Sequence, residues 1–423
     1  MQKNKLSINK IKGNLWAIAI MALCVTGYGT AAMAHDKAET LPLQTIIQAA
    51  LENSPETARI MAETADARAE AFEIETPENP EFQTDATVKE DNATRGIELE
   101  LEQPLRLSHF GPRGSYADAL RRTASLEEKA QMLEVVHSIT RAYAAYWGLQ
   151  EQEHILQANV LYAKEKQKLI ENAAKEGRVD VSEAAIFKAE ALRLEEKLNT
   201  LRTERMMAGS SLLRMAGMKQ QNFLAERPLL PETPSFADIT QRAETETSVR
   251  ALLESRQALA ERRYAVARRD AGFPEFTPRA VLSRDFDEES TTLSLGLRVS
   301  LPVWSRNNAE MIRANAEKTM TDRSLKALDE QSFANVLAAA HERLKATRAS
   351  ALSYRNNILP EWEKVQRITE KKFNGGQASV FDLWQVRGNM TEVQEEEMEM
   401  ILQAVDARIE LESLIGQTME IMQ

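Results

Sequence analysis

The chain has 423 residues, a formal net charge of -11 and a single cysteine, with aromatics at only 6%. So acidic a balance excludes a nucleic-acid surface, which needs basic residues to displace counterions. Scarce glycine and aromatics argue against an all-β protein, whereas the abundance of Ala, Leu, Glu, Lys, Arg and Met is that of long helices.

The N-terminus reads as an address. Lys3, Lys5, Lys10 and Lys12 precede an apolar run from Leu15 to Val25, and Ala32-Met33-Ala34 offers the small-x-small site of a signal peptidase. Residues 1–34 are therefore predicted to be a signal peptide, cleaved near Ala34. Cys24 falls inside it, so the mature chain has no thiol and no disulfide. Lipidation of Cys24 is the alternative, but Leu23 stands where a lipoprotein signal has a small residue. No other stretch reaches the ~20 apolar residues of a membrane helix.

The rest is written twice. Asn79-Pro80-Glu81-Phe82 recurs as Phe273-Pro274-Glu275-Phe276, an offset of 194, and Gln103-Pro104-Leu105 recurs as Leu301-Pro302-Val303, an offset of 198. Gly177 answers to Gly376 and Gly217 to Gly416, both at 199. The first repeat is placed at 35–227, with strands over about 81–107 and a helical hairpin over about 115–217. A proline-rich linker at 228–235 leads to the second at 236–423, with strands over about 275–303 and a hairpin over about 307–416. Each opens with a helix, near Leu43 to Glu73 in the first and from about Phe236 in the second.

The strands have one greasy and one wet side. Ile97, Leu99 and Leu101 alternate with Glu98, Glu100 and Glu102, while Leu293, Leu295, Leu297 and Val299 alternate with Ser294, Gly296, Arg298 and Ser300. Their length suits a tilted strand crossing a bilayer, ~9 to 11 residues. A hairpin packed half-buried on helices has the same period. In lipid, open edges are not tolerated and barrels start at about eight strands, so several chains would have to share one. The apolar residues would then face lipid, and Glu98, Glu100, Glu102 and Arg298 would line the lumen.

The helices carry heptads. Ala184, Phe187, Ala191, Leu194, Leu198, Leu201, Arg205, Ala208, Leu212 and Met215 keep a 3-4 spacing that only Arg205 interrupts; 199 residues on, the seam from Leu383 to Leu414 is interrupted only by Glu397. Such seams demand a partner helix, expected to be the long helix before each glycine turn. Ser115 to Lys175 contains no proline; Asn307 to Lys372 contains Pro360, where a break is expected.

No catalytic constellation is visible, and no two histidines share a helical face at i, i+3 or i, i+4, so neither catalytic nor metal residues nor a cofactor are assigned.

Two strand pairs with proline at each exit, and two helical hairpins turning at Gly177 and Gly376, resemble the outer membrane factor (TolC) family of efflux channels, nearest its heavy-metal branch. The opening Leu43-Gln44-Thr45-Ile46-Ile47-Gln48-Ala49-Ala50-Leu51-Glu52-Asn53-Ser54-Pro55-Glu56 and the stretch Gln103-Pro104-Leu105-Arg106-Leu107-Ser108-His109-Phe110-Gly111-Pro112-Arg113-Gly114 belong to that likeness. It implies a mainly α fold with a small β part: a homotrimer with a 12-stranded β-barrel in the outer membrane on an α-helical periplasmic barrel. It also implies a passive export duct partnered by a periplasmic adaptor (membrane fusion) protein and an inner-membrane pump. The tips contacting the adaptor would fall on Gly177, Arg178, Val179 and Asp180, and on Gly376, Gln377, Ala378 and Ser379. The family's usual Val-Gly-Leu pattern is absent from both. The resemblance makes Asp382, with Glu183 as its counterpart, a candidate entrance gate; the plain alternative is a carboxylate favoured by the helix dipole in a first turn. A rival reading is a periplasmic coiled-coil adaptor or scaffold without membrane strands, although adaptors usually have one hairpin.

Overall fold

The computed structural model describes residues 39–88, 94–176, 180–230, 232–244, 248–301 and 308–419. The expected leader lies outside them. Strand β1 (Glu39–Leu41) leads into α1 (Leu43–Asn53) and α2 (Pro55–Glu75). The single helix expected from Leu43 to Glu73 is thus two. Ser54 accepts the Thr57 N–H at 3.0 Å, and Pro55, which has no N–H to lose, starts α2. In the second repeat, Ser248 accepts the Ala251 N–H at 3.2 Å, again 194 residues on.

Next come β2 (Glu81–Val88), β3 (Thr94–Glu102), the unbroken α3 (Pro112–Lys175), α4 (Val181–Met215) and β4 (Phe223–Ala225). The second repeat supplies α5 (Phe236–Ala243), α6 (Val249–Gly272), β5 (Glu275–Asp285), β6 (Ser290–Ser300), α7 (Asn308–Ala327), α8 (Glu330–Ser353), α9 (Leu359–Asn374) and α10 (Val380–Ile415). β3 closes at Glu102, short of the expected end near 107, and beyond it Leu105 makes only an isolated bridge to Phe276; β6 runs to Ser300, and the expected end near 303 lies outside the described residues.

The long helix expected from Asn307 to Lys372 is broken twice. Ahead of Pro360, residues Tyr354–Ile358 form a π-helical turn in which the Leu359 N–H reaches back to the Tyr354 carbonyl. Proline cannot donate to the carbonyl four residues back and its ring crowds it, and the wider turn absorbs both. The second break was not expected: Asp329 caps α8 by accepting the Ser332 N–H at 2.7 Å.

The heptads pack largely as the spacing predicts. Ala191, Leu194, Leu198 and Leu201 of α4 close on Leu156, Val160 and Ala163 of α3. In the second repeat Ala407 and Leu411 of the seam pack onto Phe333, Leu337 and Leu344 of α8, while Met398 and Ile401, which lie off the seam, join a cluster with α3. Met215, assigned to the first seam, is exposed, since that seam ends at Leu212. Both seam breakers are paired. Arg205 meets Glu153 of α3 at 2.6 Å, and Glu397 binds Arg227 and Arg355.

One sheet was not foreseen. β1 pairs in parallel with β4, and α3 fastens both: the Tyr143 hydroxyl donates to the Leu41 carbonyl at 2.8 Å, and that of Tyr146 to the Phe223 carbonyl at 2.7 Å. The start of the described chain and the approach to the linker are thereby pinned to one helix.

Candidate functional site

The second sheet has the order β2-β3-β5-β6, every neighbour antiparallel. Residues opposite each other share a face, so the register sorts the side chains. Phe82, Leu101, Ala280 and Leu295 form one row, and Thr84, Leu99, Leu282 and Leu293 the next. Leu297, Val299 and Ile97 complete the apolar face, which ends at Arg284 donating to Thr291. Nothing among the described residues covers it: Phe82 is 66% exposed, Leu293 66%, Leu295 80% and Leu297 60%. The half-buried alternative requires a helix over these side chains, and among the described residues none lies there.

The opposite face collects Glu81, Asp85, Glu98, Glu100, Glu102, Arg279 and Arg298. Two of the three glutamates expected to line a lumen are paired with arginines on this face. Arg279 donates to Glu100 at 3.1 Å, and Arg298 meets Glu102 through both terminal nitrogens at 2.7 Å. Both arginines come from the second hairpin, so two of the five carboxylates that the first hairpin places on this face are neutralised by the second. Sequence reading had passed over Arg279, whose partner lies 179 residues away. Glu98 has no ion-pair partner among the described residues.

The hairpin tips lie at the far end of the long helices. Gly177, Arg178 and Val179 are outside the described residues, as is the side chain of Glu183. Asp180 caps α4, accepting the Ser182 N–H at 2.7 Å, and hydrogen bonds from Ser182 hold its carboxyl below the usual range. At the other tip Gly376 has φ 73°, the left-handed conformation glycine takes without strain. Gln377 and Ala378 follow, and Ser379 with Asp382 form a reciprocal capping box: the Ser379 N–H donates to Asp382 at 2.7 Å, and the Asp382 N–H to the Ser379 hydroxyl at 3.1 Å. Bonds from Ser379 hold the exposed Asp382 carboxyl below its ordinary range, so it is ionised at neutral pH.

Between the hairpins, α3, α4 and α10 leave a groove of about 610 Å³ whose walls include Leu156, Leu201, Trp384 and Arg387. Arg387 donates to Asn159 at 2.7 Å and Asn159 to Thr391 at 2.8 Å, tying α10 to α3. Among the described residues no helix is long and apolar enough to cross a membrane, and no group of three or more His, Cys, Asp or Glu could hold a metal.

No family model and no curated protein matches the sequence. Solved structures do match the fold. The outer membrane protein VceC from Vibrio cholerae superposes with a TM-score of 0.70 at 16% identity, over 89% of this chain and 97% of that one. CusC, whose structures concern transmembrane channel formation, gives 0.68 at 15% over 89% and 92%. The Campylobacter jejuni outer membrane channel CmeC gives 0.68 at 15% over 90% and 87%. Each match spans nearly the whole described chain, and the chain shares its fold with these outer-membrane channels.

Proposed function

We propose that the chain is the outer-membrane channel of a tripartite efflux system, a passive duct whose energy comes from a partner pump. The observation that carries this is the uncovered apolar face on an open four-stranded sheet. Its outer strands β2 and β6 each leave a row of backbone groups unpaired, which lipid does not tolerate and which in water invites association. Three copies supply twelve strands, enough to close a barrel with the apolar face outward to lipid and the polar face lining a water-filled lumen.

The helices fit the same reading. At 1.5 Å per residue the 64 residues of α3 extend about 95 Å, far beyond a globular core. They would cross the periplasm and present the tips at Asp180 and Gly376–Ser379 to a periplasmic adaptor and, through it, to the inner-membrane pump. The leader over 1–34, removed near Ala34, would deliver the chain to the envelope. The four residues between β5 and β6 make a short loop, which supports placement nearest the heavy-metal branch. An adaptor or scaffold has no use for a sheet with one bare apolar face.

Asp382 is the candidate gate, with Glu183 in the other hairpin. Three ionised copies around a narrow entrance concentrate cations by focusing the field. In planar bilayers the purified protein should form single channels whose conductance divalent cations block. Asp382→Ala should change that block; unchanged block removes the gate assignment, and absence of channels removes the function.

A further inference from the structure

The two hairpins correspond in register as well as in sequence. In the first, Glu81 faces Glu102 and Thr87 faces Gly96; in the second, Glu275 faces Ser300 and Val281 faces Ser294. Adding 194 along β2 and 198 along β3 turns one series of pairs into the other. So β2 corresponds to β5, and β3 to β6. The seam joining the hairpins, β3 against β5, is therefore a second strand meeting a first strand. The partner related in the same way to the free edge of β6 is a β2, and this chain's own β2 lies at the opposite edge of the sheet.

We infer that β6 pairs antiparallel with β2 of a neighbouring copy in the register of the β3–β5 seam, and that Arg298 of one copy forms an ion pair there with Asp85 of the next. This rests on the shared barrel proposed above. Carrying the internal seam across, Glu102 opposite Arg279 becomes Ser300 opposite Asp85, and Leu101 opposite Ala280 becomes Val299 opposite Ala86. Glu100 opposite Val281 becomes Arg298 opposite Thr87, and Leu99 opposite Leu282 becomes Leu297 opposite Val88. Apolar side chains stay with apolar ones throughout. Within the chain, Glu100 reaches Arg279 on the diagonal at 3.1 Å. The positions that correspond are Arg298 and Asp85, so the pair recurs between copies with its charges exchanged.

The two free edges are complementary in charge. β2 carries Glu81 and Asp85 and no cation, while β6 carries Arg298 and no acid. Asp85 stands directly opposite Glu98, and like charges facing each other across a strand pair are unfavourable. Among the described residues neither acid has an ion-pair partner; Asp85 accepts only from the Gln83 amide at 2.8 Å. Arg298 holds Glu102, yet its side chain remains 55% exposed, and a guanidinium has five N–H donors for a second carboxylate.

The backbone shows where to test the register. In the internal seam the hydrogen bonds fall on the apolar pairs, with the Gln103 N–H donating to Pro278 and Leu105 and Phe276 exchanging two bonds. Glu102 and Arg279 are then a non-hydrogen-bonded pair, the kind whose Cα atoms approach to about 4.5 Å. Ser300 and Asp85 inherit that geometry, which a disulfide can bridge. A two-residue slip, the smallest that keeps the apolar face together, would bring Gln83 opposite Ser300 instead.

The full-length protein carrying Ser300→Cys with Asp85→Cys, oxidised in the envelope, should link into covalent dimers and trimers. Ser300→Cys with Gln83→Cys should not, and neither should the single-cysteine controls that report on Cys24. For the ion pair, Asp85→Asn should lower the temperature at which the detergent-extracted trimer dissociates, and this shift should vanish in an Arg298→Gln background. A trimer that links through Gln83→Cys, fails to link at all, or shows an undiminished Asp85→Asn shift without Arg298 overturns the inference and leaves the channel intact. A protein that never assembles overturns both.

Discussion

Gly217 and Gly376 have nearly the same left-handed backbone, φ 67° and 73°, in different surroundings. A Cβ on Gly217 would sit 2.3 Å from the Asn53 carbonyl oxygen, whereas one on Gly376 would meet nothing within 4 Å. Gly376→Ala should therefore show only the cost of the conformation, about 1–2 kcal/mol. Gly217→Ala should lose more, because the backbone of α1 must also give way; thermal melts of the two variants decide it, and equal losses would contradict the account. Both glycines were legible as repeat markers. The close approach to Asn53 was not, because it depends on where a distant helix ends.

Glu412 is a second residue the sequence conceals. It is 3% exposed and takes bonds from His137 at 3.1 Å, Arg408 at 2.7 Å and the Met419 N–H at 2.7 Å. Burial disfavours its charge, but these donors outweigh burial and keep its pKa below the ordinary 4.5. The stabilisation is thus complete above about pH 4.5 and fades as pH falls through the lower folded value. Glu412→Gln should destabilise at pH 7 by about 2 kcal/mol or more, and the gap from the parent should narrow in acid below that range. A gap independent of pH would show that the carboxylate's charge contributes nothing. His137 lies 275 residues from Glu412, beyond any local pattern.

At the scale of elements, periodicity was the readable part. Heptad spacing located α4 and α10, and strict alternation located β3 and β6, because 3.6 and 2 are backbone periods that side chains must obey. Boundaries were less legible. The break at Asp329 carries an acid cap followed by Glu330, a start signal hidden inside an otherwise helical run. The β1–β4 pair has only three residues per strand, too few to show alternation. Seam breakers offer a direct test of packing. Arg205 is partly buried and held by Glu153 and the Tyr146 hydroxyl. Glu153→Ala should cost about 1–3 kcal/mol by leaving that guanidinium underpaired. Arg205→Leu, which restores the apolar stripe, should cost less or stabilise. The reverse order in denaturant titrations would mean that Arg205 is not part of the seam.

At the scale of the molecule, most of the helix is satisfied within the chain and the sheet is not. The helices bury their seams against each other, whereas among the described residues the sheet leaves a whole apolar face and two edges bare. That imbalance was half-visible in the sequence: four alternating segments are too few for a barrel, so a shared one follows if they meet lipid. The charge pairing on the other face could not be read, since Glu100 and Glu102 find their arginines in the other repeat.

In the proposed channel these strands acquire their missing neighbours from sister chains in a membrane. The most direct measurement is the mass of the mature protein extracted from envelopes, taken with and without detergent. The expected result is a particle of three chains that requires detergent to stay dispersed. A single chain, soluble in plain buffer, would contradict it.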